Sequence, residues 1–174
     1  LELALSGSLS AAAQVLVHLA RMADADRCYA ESFELLERVL AKAPESVRAR
    51  EQMIELANNY GLRLMTDSDA QRATRVLTEG LDAARSLAND FPEDPEQRKR
   101  LAVIGLNLAA HTANSGDFGG ADTVARESVA ALDELFRRYP ERLEYGYFFG
   151  VALSIHSGIA TELGRLDEAE ANST

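Results

Sequence analysis

Apolar residues recur along the whole chain at helical spacing rather than in alternation with polar ones. In the third quarter of the chain, Leu101, Ile104 and Leu108 follow one another at intervals of three and four residues, and Thr112 continues the row. Such a row lies on one face of an α-helix. Ala, Leu, Glu and Arg dominate, and no segment alternates as a half-buried strand would. The pattern predicts an all-α protein.

An internal repeat is visible first in the prolines. Pro44, Pro92 and Pro140 are spaced 48 residues apart, and each is followed by a glutamate. Small and apolar residues keep the same period. The clearest columns are Ala25, Ala73, Ala121 and Ala169; Leu5, Met53, Leu101 and Phe149; and Met22, Ala70, Phe118 and Leu166. Repeats of this length indicate stacked units, because one unit cannot bury its own apolar face.

Each unit predicts two helices. In the third unit they span about 95–115 and 118–139. Gly116 between them suits the left-handed end of a helix, and Asp117 can cap the next one. Pro140 ends the second helix because the residue before a proline avoids the helical region. The other helices are expected at about 2–22, 24–42, 45–64, 69–89, 141–163 and from 166 onward.

The residues around these turns resemble the tetratricopeptide repeat (TPR) pattern. That pattern has a large residue followed by a small one, Gly seven residues after the small one, and Ala five residues later. In the third unit, Leu108-Ala109, Gly116 and Ala121 fit it. The other units offer Ala12-Ala13, Ala20 and Ala25; Tyr60-Gly61, Ser68 and Ala73; and Ser157, Gly164 and Ala169. Armadillo and HEAT repeats have a similar length, but the small–Gly–Ala pattern favours the TPR assignment.

The resemblance implies a right-handed solenoid of antiparallel helix pairs with about 3.5–4 repeats. The usual TPR unit has about 34 residues, so both helices of this 48-residue unit are longer. We expect a single domain with units at about 1–44, 45–92, 93–140 and 141–174. The chain is similar to bacterial arrays with acidic P-E-D-P-E stretches, which accompany signalling kinases and other multidomain proteins. It starts without methionine, and we expect a fragment of a longer chain.

The resemblance also implies that the first helix of each unit lines a concave ligand-binding face. The residues at the implied positions are Asn58, Asn59, Leu62, Thr66, Leu106, Asn107, Ala110 and Asn114, and we expect Met65 to belong to the same groove. Asn59 and Asn107 share a column, and an Asn carboxamide can both donate to and accept from one peptide group. The alternative is that these asparagines bond to neighbouring helices or to water.

No constellation of catalytic or metal-binding residues is evident. His18, His111 and His156 fall in three different columns, and neither H-E-x-x-H nor C-x-x-C occurs. We expect structural or surface histidines. The single cysteine, Cys28, shares a column with two valines and is expected to be a small buried side chain. Phosphate-binding loops and nucleophile elbows are also missing, so we expect no enzyme activity, metal or cofactor.

The charge narrows the class of partner. A net charge of −10 repels phosphate backbones and disfavours nucleic acid. No apolar stretch is long enough to span a membrane. The interpretation is a non-catalytic scaffold that binds a protein or peptide in the cytoplasm. The alternative is a structural, regulatory or self-associating segment of a larger signalling protein.

Overall fold

The computed structural model of the chain describes residues 1–65 and 69–171, without the side chain of Glu168. These residues form eight α-helices and no strand. The helices are α1 (Glu2–His18), α2 (Met22–Lys42), α3 (Val47–Met65), α4 (Ala70–Asp90), α5 (Pro95–Asn114), α6 (Phe118–Arg138), α7 (Leu143–Glu162) and α8 (Leu166–Ala171). The prediction of an all-α protein is confirmed.

The helices recur with the 48-residue period of the sequence. α2, α4, α6 and α8 begin at Met22, Ala70, Phe118 and Leu166, and α5 and α7 each begin 48 residues after the preceding odd-numbered helix. From α3 to α7, the observed ends lie within two residues of the predicted ones. The first helix differs, because α1 ends at His18 rather than near Met22.

Left-handed backbone at one column of the repeat explains where α1, α5 and α7 end. Ala20, Gly116 and Gly164 have φ angles of 56°, 90° and 72°. The next N–H in each case reaches a carbonyl five residues back, as in a Schellman motif. The pairs are Arg21 with Leu16 at 2.9 Å, Asp117 with Thr112 at 3.2 Å and Arg165 with Ala160 at 2.8 Å. α1 therefore stops early because Ala20 turns the chain there.

The predicted cap of α6 is confirmed. The Oδ1 atom of Asp117 accepts a hydrogen bond from the backbone N–H of Gly120 at 2.9 Å. This bond satisfies one of the N–H groups that the first turn of a helix leaves without an intrahelical partner. Gly116 and Asp117 thus end one helix and begin the next within two residues.

We expect Ala20→Gly to stabilise the protein by about 0.5–1 kcal/mol. Left-handed backbone costs a residue with a Cβ about 1–2 kcal/mol, and the greater freedom of glycine in the unfolded chain offsets about 0.5–1 kcal/mol of that gain. Urea denaturation followed by circular dichroism measures the difference. A lower unfolding midpoint for Ala20→Gly would show that the left-handed turn is not the strained element.

Small residues occupy the positions where the two helices of a pair approach each other. Ala13 on α1 and Ala25 on α2 are both fully buried, and so are Ala109 on α5 and Ala121 on α6. In the second pair, Gly61 stands in the column of Ala13 and Ala109. Two of the columns that carry the TPR resemblance are therefore contact positions within helix pairs.

The chain divides into two compact units, Leu1–Ala83 and the residues from Ala84 onward, with the division inside α4. In the first unit α1 packs on α2, α2 packs on α3, and α1 also touches α3. In the second unit α5 packs on α6, α6 on α7 and α7 on α8, and α5 also touches α7. Each unit therefore brings two successive odd-numbered helices side by side.

Candidate ligand-binding grooves

The first unit contains an open groove of about 630 Å³ between α1 and α3, here called groove 1. Its lining residues are Gln14, Val17, His18, Met22, Tyr29, Asn59, Leu62 and Arg63. Tyr29 is 3% exposed and lies at the floor, whereas Leu62 is 49% exposed. Sites for small ligands usually enclose about 300–1,000 Å³. Groove 1 therefore has room for several side chains of a bound segment.

The second unit contains an open groove of about 440 Å³ between α5 and α7, here called groove 2. Its lining residues are Ala110, Ala113, Asn114, Phe118, Ser154, Ile155, Gly158, Ile159 and Glu162. Like groove 1, it combines apolar side chains with a few polar groups. Such a lining can bury an apolar side chain and still orient a polar chain.

Grooves 1 and 2 lie at equivalent positions of the repeat. Seven of the eight lining positions of groove 1 recur in groove 2 after a shift of 96 residues, which is two repeat lengths. The residues at these positions are Gln14, Val17, His18, Met22, Asn59, Leu62 and Arg63 in groove 1, and Ala110, Ala113, Asn114, Phe118, Ile155, Gly158 and Ile159 in groove 2. The surface between two successive odd-numbered helices is therefore open in both units, between α1 and α3 in the first and between α5 and α7 in the second.

Four of the residues predicted for the concave face line these grooves. Asn59 and Leu62 belong to groove 1, and Ala110 and Asn114 belong to groove 2. Leu106 is instead 3% exposed and packs in the main apolar cluster of the second unit. It supports the groove from within the core and offers no surface to a ligand.

The remaining predicted residues have other surroundings. Asn58, Met65 and Asn107 are partly exposed and do not line either groove. Asn58 and Asn107 each have an interaction partner within the protein. Thr66 lies outside the described residues. A ladder formed by Asn59 and Asn107 stays a prediction, since the two belong to different units.

Sequence reasoning missed the contribution of the even-numbered helices. Met22 and Tyr29 from α2 line groove 1, and Phe118 from α6 lines groove 2. It also missed Gly158 and Gln14, although both share the repeat column of Leu62 and so could have been found. The sequence predicts that the column shared by Met22 and Phe118 is apolar, but it assigns this column no role in binding.

Groove 1 is built on immobilised side chains. The ring of Tyr29 stacks on that of Tyr60 with centroids 5.2 Å apart. Burial, with a smaller effect of the Asp26 charge, raises the pKa of Tyr29, so its hydroxyl stays neutral. Nη2 of Arg63 donates to Oδ2 of Asp26 at 3.1 Å, and the Arg63 side chain is 13% exposed. Packed aromatic and paired charged groups lose little further freedom when a ligand binds.

A buried polar cluster joins α6, α7 and the start of α8 in the second unit. Asp122 is 7% exposed. Its Oδ1 lies 3.2 Å from Nε2 of His156, and its Oδ2 accepts from Nη1 of Arg165 at 2.9 Å and Nε of Arg126 at 3.1 Å. Burial works to raise the pKa of Asp122, but the hydrogen bonds from Arg165 and Arg126 outweigh it and hold the pKa below its usual range. The cluster thus contains an ionised carboxylate with both oxygens engaged.

The other candidate groups are the three histidines and the single cysteine. His18 is exposed and lines groove 1, while His111 and His156 are buried. Among residues 1–65 and 69–171, no three His, Cys, Asp or Glu side chains are arranged to hold a metal ion. Cys28 is half-buried rather than buried as predicted. Val76, which occupies the same repeat column in the second helix pair, is only 1% exposed. The burial of this column therefore differs between helix pairs.

Over residues 1–65 and 69–171, none of the helices has both the length and the apolar character that a membrane span requires. The chain matches no protein-family model and no curated protein.

Proposed function

We propose that this chain is a TPR-like, right-handed solenoid that acts as a non-catalytic binding module for a protein or peptide partner. The observation that supports this best is the pair of open grooves at repeat-equivalent positions. The groove returns at the same seven positions two repeats later, so it belongs to the repeated packing of the odd-numbered helices and is not one local irregularity. Each groove runs between two helices and suits a short extended segment of a partner.

The lining favours a peptide over other ligand classes. Carboxamides are present in both grooves, at Gln14 and Asn59 in groove 1 and at Asn114 in groove 2. A carboxamide both donates and accepts, as the peptide group requires. Burial of one aliphatic side chain on the apolar part of a groove contributes about 1.5–3 kcal/mol. The chain carries a net charge of −10, which disfavours nucleic acid.

The test uses selection from a display library of short random peptides, followed by fluorescence anisotropy with the selected peptides. The variant combines Asn59→Ala with Leu62→Ser in groove 1. We expect affinity for groove 1 peptides to fall about tenfold or more, because a carboxamide contact and an apolar contact of about 1.4 kcal/mol or more are lost. Both residues are exposed, so the fold is retained.

The matched control is Leu5→Ser. Leu5 is 46% exposed on α1 and lies outside groove 1, whereas Leu62 is 49% exposed within it. We expect Leu5→Ser to leave peptide affinity unchanged. If no peptide is selected, or if the groove variant and the control behave alike, the grooves are not peptide sites and the proposed function is wrong.

A further inference from the structure

We infer that groove 2 selects partner segments in which an apolar residue lies next to a lysine or arginine. This inference rests on the proposed function and specifies the chemistry of the partner. It follows from the charge, the helix ends and the shape of groove 2.

The charge at groove 2 is negative. Glu162 is the one ionisable residue among its described lining residues. Its side chain is exposed, and no ion pair with another described residue engages it. The position of Arg63 in groove 1 is held by Ile159 in groove 2, so the cation of groove 1 has no counterpart. A ligand cation would thus meet an unneutralised carboxylate.

The helix ends add to this negative character. Asn114 is the last residue of α5 and Glu162 is the last residue of α7, and both line groove 2. The C-terminal end of a helix carries a partial negative charge that favours cations within its last turn. The ends of α5 and α7 and the Glu162 carboxylate therefore act in the same sense, while the Asp117 carboxylate offsets the opposite partial charge that the N-terminal end of α6 brings to the groove at Phe118. The net charge of −10 adds long-range attraction for a basic segment.

The shape of groove 2 provides a place for the neighbouring apolar residue. A Cβ built on Gly158 would meet no atom within 4 Å, so packing inside the protein does not require glycine there. Glycine weakens a helix interior but permits close approach of another chain to the backbone. Beside Gly158, Phe118 and Ile155 present apolar surface. An aliphatic side chain placed on Gly158 would contact both.

The test compares peptides selected from the same display library on the wild type, Glu162→Gln and Glu162→Lys. We expect the wild type to enrich peptides with Lys or Arg beside an apolar residue. Glu162→Gln should weaken these peptides about fivefold, the loss expected for one partly exposed ion pair. Glu162→Lys should shift the enrichment toward Asp and Glu.

Two further variants separate local from general effects. Glu141→Gln makes the same change in net charge at an exposed residue that does not line groove 2, and should change affinity less than about twofold, since exposed charges beyond a Debye length are screened. Gly158→Leu introduces the side chain that groove 1 carries at Leu62, and should reduce binding about tenfold or more by filling the groove.

The outcomes distinguish this inference from the proposed function. Peptides that bind groove 2 without a basic residue, or an enrichment that Glu162→Lys leaves unchanged, would refute the charge preference and leave the peptide-binding function standing. Equal losses for Glu141→Gln and Glu162→Gln would also refute it, because net charge alone would then be responsible. Failure of every variant and the wild type to enrich any peptide would refute both.

Discussion

Gly61→Leu should destabilise the first unit by about 3 kcal/mol or more. Adding extra methylene groups to a packed core typically costs about 1–3 kcal/mol, and this substitution adds a whole leucine side chain. A Cβ on Gly61 would lie 2.5 Å from Cδ2 and 2.8 Å from Cγ of Leu77. Leu77 is fully buried, so it cannot move aside into solvent. The leucine would force α3 and α4 apart.

The same substitution at Gly158 provides a matched control of opposite sign. Space above Gly158 is open, and leucine is a far better helix former than glycine. We expect Gly158→Leu to stabilise the second unit by about 0.5–1 kcal/mol. Urea unfolding followed by circular dichroism compares the midpoints of the two variants with the wild type. A wild-type midpoint for Gly61→Leu would show that α3 and α4 do not approach closely at this position.

Asp122→Asn should cost about 2–4 kcal/mol at neutral pH, because removing one member of a buried charged cluster leaves its partners uncompensated. The side chains of Arg165 and Arg126 are 40% and 47% exposed, so both can turn toward water. His156 is 4% exposed and has no such route. The cost therefore falls mainly on the contact between α6 and α7.

The destabilisation caused by Asp122→Asn should be larger at neutral than at acidic pH. The pKa of Asp122 is lowered in the folded protein, so the carboxylate stabilises the fold at pH values above the ordinary Asp range and loses this effect as pH falls through the lowered pKa. The stability difference between wild type and Asp122→Asn should be full at pH 7. It should shrink below about pH 4, near the pKa of an unfolded Asp.

Urea midpoints measured from neutral to acidic pH test this dependence. Three groups contact the Asp122 carboxylate, namely His156, Arg126 and Arg165. Repeating the comparison in a His156→Gln background tests whether the pH dependence belongs to Asp122 itself. A difference that persists undiminished into strong acid, or that grows on acidification, would contradict the assignment of an ionised, stabilising Asp122.

Most of the helical architecture could be predicted from the sequence. Helix boundaries are local features, since a left-handed residue, a capping side chain or a proline acts on the turn that contains it. Gly116, Asp117 and Pro140 therefore placed α5 and α6 within one residue of their observed ends. Ala20 concealed the end of α1, because alanine rarely adopts a positive φ and carries no turn signal of its own.

The candidate site was predicted only in part. The repeat positions of Asn59 and Leu62 indicated an open face on the odd-numbered helices, and both residues line groove 1. The same reasoning placed Leu106 on that face, although its side chain is buried in the core. Periodicity assigns a residue to a face of its helix, but the neighbouring helix decides whether that face is open or covered.

The sequence by itself determined the helical class, the 48-residue period and the small residues at the contacts within helix pairs, because each of these leaves a local or periodic trace. Only the tertiary structure decided that Tyr29 and Phe118 from the even-numbered helices complete the grooves. It also brought Asp122 to His156, 34 residues further along the chain. Such contacts depend on the distance and rotation between helices, which no single stretch of sequence encodes.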